Sequence, residues 1–164
     1  MTRDKVGWVA FNAMMVILGA CLSGMPYNEA QKASAGRPLW FHVPGDPAKW
    51  NLVHMEGLVN AVLMLAIVAV VSQLTISPLS SRVLFWALVA MGWGNFLGAL
   101  AGALGNDAVM DMGPTHDPIA FGLFSVAAVG VLVAIAVVAR VGVANGKSRE
   151  DSQSSDSSAG VGAS

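Results

Sequence analysis

His54, Glu56 and Asn60 stand near the head of the apolar run 52–71. In a membrane such groups are costly: a charged side chain loses roughly 2.5–3.5 kcal/mol at the centre of a span and less toward its ends. Each therefore needs a partner, a bound metal or cofactor, or a polar cavity. An imidazole can ligate a metal. A carboxyl can give a proton to a leaving group. An amide can orient a substrate, because it both donates and accepts hydrogen bonds. Successive helical residues turn by about 100°. Glu56 and Asn60, four apart, share a face, while His54 points more than a quarter turn away from both. One helix thus presents an imidazole on one side and a carboxyl with an amide on another. That suits two pockets, or one pocket assembled from neighbouring chains.

A third apolar run adds Trp93 and Asn95, together with Gly94, Gly98 and Gly102. Small residues at four-residue spacing let helix backbones approach closely. Asn95 adjoins this seam at a depth comparable to Asn60, so its amide is placed to meet the polar face of the second run.

The elements that must position these groups are membrane spans. The chain is 55% hydrophobic and 12% charged, and its charges fall outside four apolar stretches, 6–24, 52–71, 83–104 and 118–141. A spanning helix needs about 20 mostly apolar residues. A soluble bundle would need a polar stripe on each helix, and 83–104 and 118–138 have none. The expected fold is an all-α membrane protein, an antiparallel bundle of four transmembrane helices over residues 1–144. The tail 145–164 is rich in Ser, Gly and Asp and is expected to be disordered, since it cannot bury enough apolar area to offset its ordering entropy.

Arg3, Lys5, Arg82, Arg140, Lys147 and Arg149 fall on one side of this topology, and Lys32, Arg37 and Lys49 on the other. The bias predicts both termini in the cytoplasm, in a bacterial inner membrane. The first 24 residues resemble a signal peptide, and Leu18-Gly19-Ala20-Cys21 a lipoprotein cleavage box, but the segment reads as a true span. Cys21 is then a lone buried thiol. The segment 26–49 carries Trp40 and Phe41, suited to a membrane interface, and the turn formers Pro44-Gly45 and Asp46-Pro47. It is expected to fold back over its end of the bundle.

The chain has no Ser-His-Asp set, no CxxC, no HExxH and no phosphate loop. No series of carboxylates crosses the membrane, which argues against a proton pump. The titratable groups gather at one end, where a pocket opens to a leaflet into which apolar aromatic molecules partition. The expected partners are a small aromatic substrate and membrane lipid, with no nucleic acid.

Two related groups of small four-span membrane isomerases share these motifs. Phe41-His42-Val43-Pro44-Gly45-Asp46-Pro47, followed by Trp50, His54 and Asn60, resembles the styrene oxide isomerase pattern. His54-Met55-Glu56-Gly57-Leu58-Val59-Asn60, followed by Asn95-Phe96-Leu97-Gly98-Ala99-Leu100, is similar to hydroxylaminobenzene mutase. The resemblance covers roughly 40–105. It implies a b-type haem with His54 as axial iron ligand, Trp50 and Trp93 beside the cofactor, and a substrate-orienting amide at Asn60. The epoxide isomerase's aspartate in the third span falls on Met91 and its tyrosine on Ala99. Glu56 instead matches the mutase.

These three positions favour a mutase that rearranges an arylhydroxylamine such as hydroxylaminobenzene to a 2-aminophenol by intramolecular oxygen transfer, assisted by ferric haem. Glu56 would act as the acid, with Asn60 and Asn95 orienting the substrate. The alternatives are an epoxide isomerase giving an aryl acetaldehyde and a non-catalytic haem-binding or accessory subunit. His42 and His116 are candidate second ligands. A homo-oligomer is expected, a trimer by resemblance, with haem at a subunit boundary and the glycine seam available for packing.

Overall fold

Every helix after the first begins at a proline. In the computed structural model, which describes residues 1–105 and 118–160 and the side chains of 1–105 and 118–147, the helices are α1 (Arg3–Ser34), α2 (Pro47–Val71), α3 (Pro78–Leu104) and α4 (Pro118–Gly160). Proline suits a first helical position, where its missing N–H has no intrahelical acceptor to lose. The preceding residue caps two of these starts. Asp46 accepts from the Lys49 N–H at 3.0 Å and Ser77 from the Ser80 N–H at 3.1 Å, relieving N–H groups that a helix start leaves unpaired.

All four helices are long and apolar enough to cross a membrane, and no strand occurs among the described residues. The expected all-helical, four-span fold is present. The helices overrun the apolar stretches. At about 1.5 Å per residue, the 32 residues of α1 exceed a hydrocarbon core of roughly 30 Å. Residues 26–34 thus continue as helix, where the sequence suggested loop.

Consecutive helices pack together, α1 also reaches α3, and α4 rests chiefly on α3. Val9, Val16, Val53, Met64, Leu84, Leu88 and Met91 are fully buried between them. In lipid, close fit rather than water exclusion drives this association, and α3–α4 shows how. A Cβ on Gly94 would lie 2.9 Å from the Leu123 carbonyl oxygen and 2.9 Å from Ala127 Cβ. Gly98 faces the Phe124 ring, whereas a Cβ on Gly102 would meet nothing within 4 Å.

The glycine seam therefore serves α4 of the same chain at Gly94 and Gly98, which corrects its expected use between subunits. Tethering is the physical reason: α4 follows α3 in the same chain, at an effective concentration no separate copy matches. Gly94→Leu should lower stability by about 1–3 kcal/mol, because the obstacle is backbone. Gly102→Leu should change it by less than about 0.5 kcal/mol. Thermal unfolding in detergent separates the two.

At the end where α1 finishes, residues 37–46 form a strap across the bundle, as expected for that part of the segment. The Trp40 N–H donates to Glu29 Oε2 at 2.8 Å, and Lys32 Nζ pairs with Glu29 Oε1 at 2.6 Å. Trp50 Nε1 donates to the Pro44 carbonyl at 2.8 Å. Lys49 Nζ donates to the Gly105 carbonyl at 3.1 Å, satisfying an acceptor at the end of α3. Gly45 has φ +79°, and a Cβ there would sit 2.6 Å from the Ala103 carbonyl oxygen, so only glycine fits this corner.

At the opposite end, Asn145 holds Thr75 through both backbone groups, at 2.9 Å each. Here α4 runs on as helix to Gly160, where composition suggested disorder from Asn145. Extending a helix that already exists adds a hydrogen bond per residue fixed and avoids the nucleation cost. Residues 161–164 lie outside the described residues, as does the aspartate-rich segment 106–117 with His116. Cys21 is exposed on the flank of α1, not buried.

Candidate functional site

His54 lies seven residues into α2 from Pro47, about 10 Å along the axis. Its Nδ1 is 2.7 Å from the Ala20 carbonyl oxygen on α1. A carbonyl only accepts, so Nδ1 carries the hydrogen, and in the neutral ring Nε2 keeps its lone pair. Ser23 Oγ donates to the same carbonyl at 2.6 Å. The imidazole reaches this carbonyl because α1 and α2 touch one turn deeper, where a Cβ on Gly57 would lie 2.6 Å from Ala20 Cβ. The ring is half-exposed on the flank of the bundle.

A ring whose second nitrogen is tied to a carbonyl has the tautomer and orientation of a metal-ligating histidine. Among the described residues, no three His, Cys, Asp or Glu side chains gather as ligands. Haem iron needs no such cluster, because its porphyrin supplies the equatorial nitrogens and the protein only an axial ligand. The donor set fits a haem held through His54 Nε2.

The second constellation faces α3. Asn60 Nδ2 donates to Glu56 Oε2 at 2.8 Å and to the Glu56 carbonyl at 2.8 Å. Asn95 Nδ2 donates to Asn60 Oδ1 at 2.8 Å. Asn60 is buried, while Glu56 and Asn95 are half-buried. Both amides hand their hydrogens toward the carboxyl, so Oε2 is an acceptor. Glu56 Oε1 has no hydrogen-bond partner among the described residues. A proton on this carboxyl therefore belongs on Oε1, the oxygen free to meet a substrate.

The two constellations diverge around α2, His54 toward α1 and Glu56–Asn60 toward α3. Phe96 wedges between the helices that carry them. A Cβ on Gly19 would lie 2.6 Å from its Cζ, and one on Gly57 3.0 Å from its Cδ2. Trp93 meets Phe96 edge-on at 6.2 Å and donates its N–H to Asn12 Oδ1 at 2.9 Å. Trp50 is buried beneath the strap. Both tryptophans expected beside a cofactor thus spend their N–H groups on protein acceptors. His42 is exposed on the strap. Met91 and Ala99 are buried and bring no polar group.

Three positioning features escaped sequence reasoning: Asn12, the Ala20 carbonyl and the Phe96 wedge. Asn12 had a signal, as a lone amide inside the stretch 6–24. The carbonyl had none, because any residue supplies one.

A family model described as styrene oxide isomerase matches residues 6–143, a stretch that includes His54, Glu56, Asn60 and Asn95. No curated protein matches the chain. With four helices fit to span a membrane and a match across all of them, this chain belongs to the styrene oxide isomerase family and is a multi-pass membrane isomerase of that kind.

Proposed function

We propose that the chain rearranges a small arylhydroxylamine to a 2-aminophenol. The observation that carries this reading is the chain Asn95–Asn60–Glu56, which ends on a carboxyl oxygen with no hydrogen-bond partner among the described residues. An N–O bond breaks heterolytically when its oxygen receives a proton. Glu56 Oε1 supplies that proton, and the bonding pair leaves with oxygen. The oxygen leaves as water and adds at the ring ortho carbon; one of its protons returns to the carboxylate, and the ring proton lost there moves to the nitrogen to complete the amine. Atoms and electrons balance: the product is an isomer of the substrate and the acid is restored. Asn60 and Asn95 hold the carboxyl in place, and the surrounding apolar side chains limit water.

A haem, held by His54, would supply a Lewis-acidic iron to polarise the substrate. The half-exposed imidazole supports a further wall from another copy, so the working unit is a homo-oligomer, a trimer by family resemblance. The basic residues at the termini support a cytoplasmic location for that end in a bacterial inner membrane.

A second reading, isomerisation of styrene oxide to phenylacetaldehyde, is favoured by the family match. The two are separated by offering purified protein each substrate. Phenylhydroxylamine should yield 2-aminophenol retaining a heavy-oxygen label, faster than styrene oxide reacts. The opposite order overturns the choice of substrate while leaving the family assignment intact.

A further inference from the structure

Far from His54, an open groove of about 620 Å³ runs between α3 and α4, lined by Arg82, Trp86, Ala90, Val126, Val129 and Val133 among others. Over residues 82–90 it follows α3 for about 12 Å. Apart from Arg82, its walls carry almost no available polar group: the Ser125 hydroxyl, also in the lining, is spent on the Phe121 carbonyl at 2.8 Å. Arg82 itself forms no hydrogen bond or ion pair among the described residues. It stands one turn into α3, at the end of the bundle that also carries Arg3, Lys5, Arg140 and Lys147. Trp86, 63% exposed, lies one turn deeper, and indoles favour the headgroup boundary.

We propose that this groove binds an anionic phospholipid, with one acyl chain lying along the apolar walls and the phosphate against Arg82. Charge complementarity selects this occupant over a second copy of the chain. Glu29, Asp46 and Glu56 lie in the strap half; at the Arg82 end Asp4 opens α1, while Glu150, Asp151 and Asp156 come on α4 about 25 Å or more along the axis past Val133, the last residue of that helix to line the groove. A copy seated on the groove would bury the Arg82 guanidinium without a matching carboxylate, which is costly. A lipid phosphate supplies the missing charge, and guanidinium binds it in a fork. The small residues that bring α3 and α4 together, Gly94 and Gly130, fix both walls.

The test is native mass spectrometry of the detergent-purified protein titrated with phosphatidylglycerol and with phosphatidylcholine of identical chains. Wild type should bind one phosphatidylglycerol per chain with about fivefold preference, the factor expected of one basic residue near a membrane surface. Added salt should erase the preference. Arg82→Gln should bind both lipids equally, and Val129→Trp, which fills the groove, should weaken both. Equal binding of the two lipids by wild type, or an unchanged preference in Arg82→Gln, overturns the proposal. So does a disulfide between copies in native membranes formed by Val129→Cys in a Cys21→Ala background, which would place another chain there.

Discussion

Glu56→Gln should turn over phenylhydroxylamine about 10²–10⁴-fold more slowly than wild type, the usual loss when a general acid is removed. The substitution is conservative where it matters. Glutamine keeps the length and an acceptor oxygen, so Asn60 Nδ2 can still donate across the 2.8 Å contact and Asn95 can still donate to Asn60. Only the transferable proton is gone. Haem content and unfolding temperature should stay at wild-type values while kcat falls. If turnover is unchanged, Glu56 only holds the two amides, and the acid must be sought elsewhere.

His54→Ala should remove the haem Soret band from purified protein while the chain stays in the membrane. The fold should survive, because an interhelical hydrogen bond in a membrane averages only about 0.6 kcal/mol, and the packing of Gly57 on Ala20 is untouched. A retained Soret band would move the ligand to another residue, with His42 and His116 next in line. The same variant tests assembly. Mixing His54→Ala with Glu56→Gln chains should restore part of the activity if one copy supplies the imidazole and its neighbour the carboxyl. Tagged mixed assemblies without rescue would place each complete site within one chain.

The spans were legible because lipid demands an unbroken apolar run, and four such runs fit nowhere else in 164 residues. The Glu56–Asn60 pairing was legible from four-residue spacing alone. The Asn95 contact followed from matching depths on two spans. What sequence hid were facts about which helix stands beside which. The seam of Gly94 and Gly98 names a close neighbour but not whose, and α4 proved to be that neighbour. The spacing of His54 from Glu56 says that they diverge, yet gives no hint that a main-chain oxygen at Ala20 fixes the imidazole. Trp50 was expected beside a cofactor by family resemblance, and nothing in the sequence says that its N–H donates to the Pro44 carbonyl of the strap. The overrun of α1 past Gly24 was hidden because hydropathy marks where lipid ends, and a helix continues beyond that point when side chains such as Glu29 find partners there.

The strap also bears on how this chain can drift over generations. It is gripped by its peptide groups: Glu29 takes the Trp40 N–H and Trp50 gives to the Pro44 carbonyl. A grip on the main chain is blind to the side chains it holds. Residues 37–39 can therefore be rewritten one at a time, with no change in how the bundle is closed, whereas the Trp40 ring lies under Lys32 and Val43 packs on the core. The anchors have no such freedom. Losing Glu29, Trp50 or the glycine at 45 removes a fixed point that no neighbouring substitution replaces. Descendants of this sequence should then vary most at 37–39 and least at the anchors.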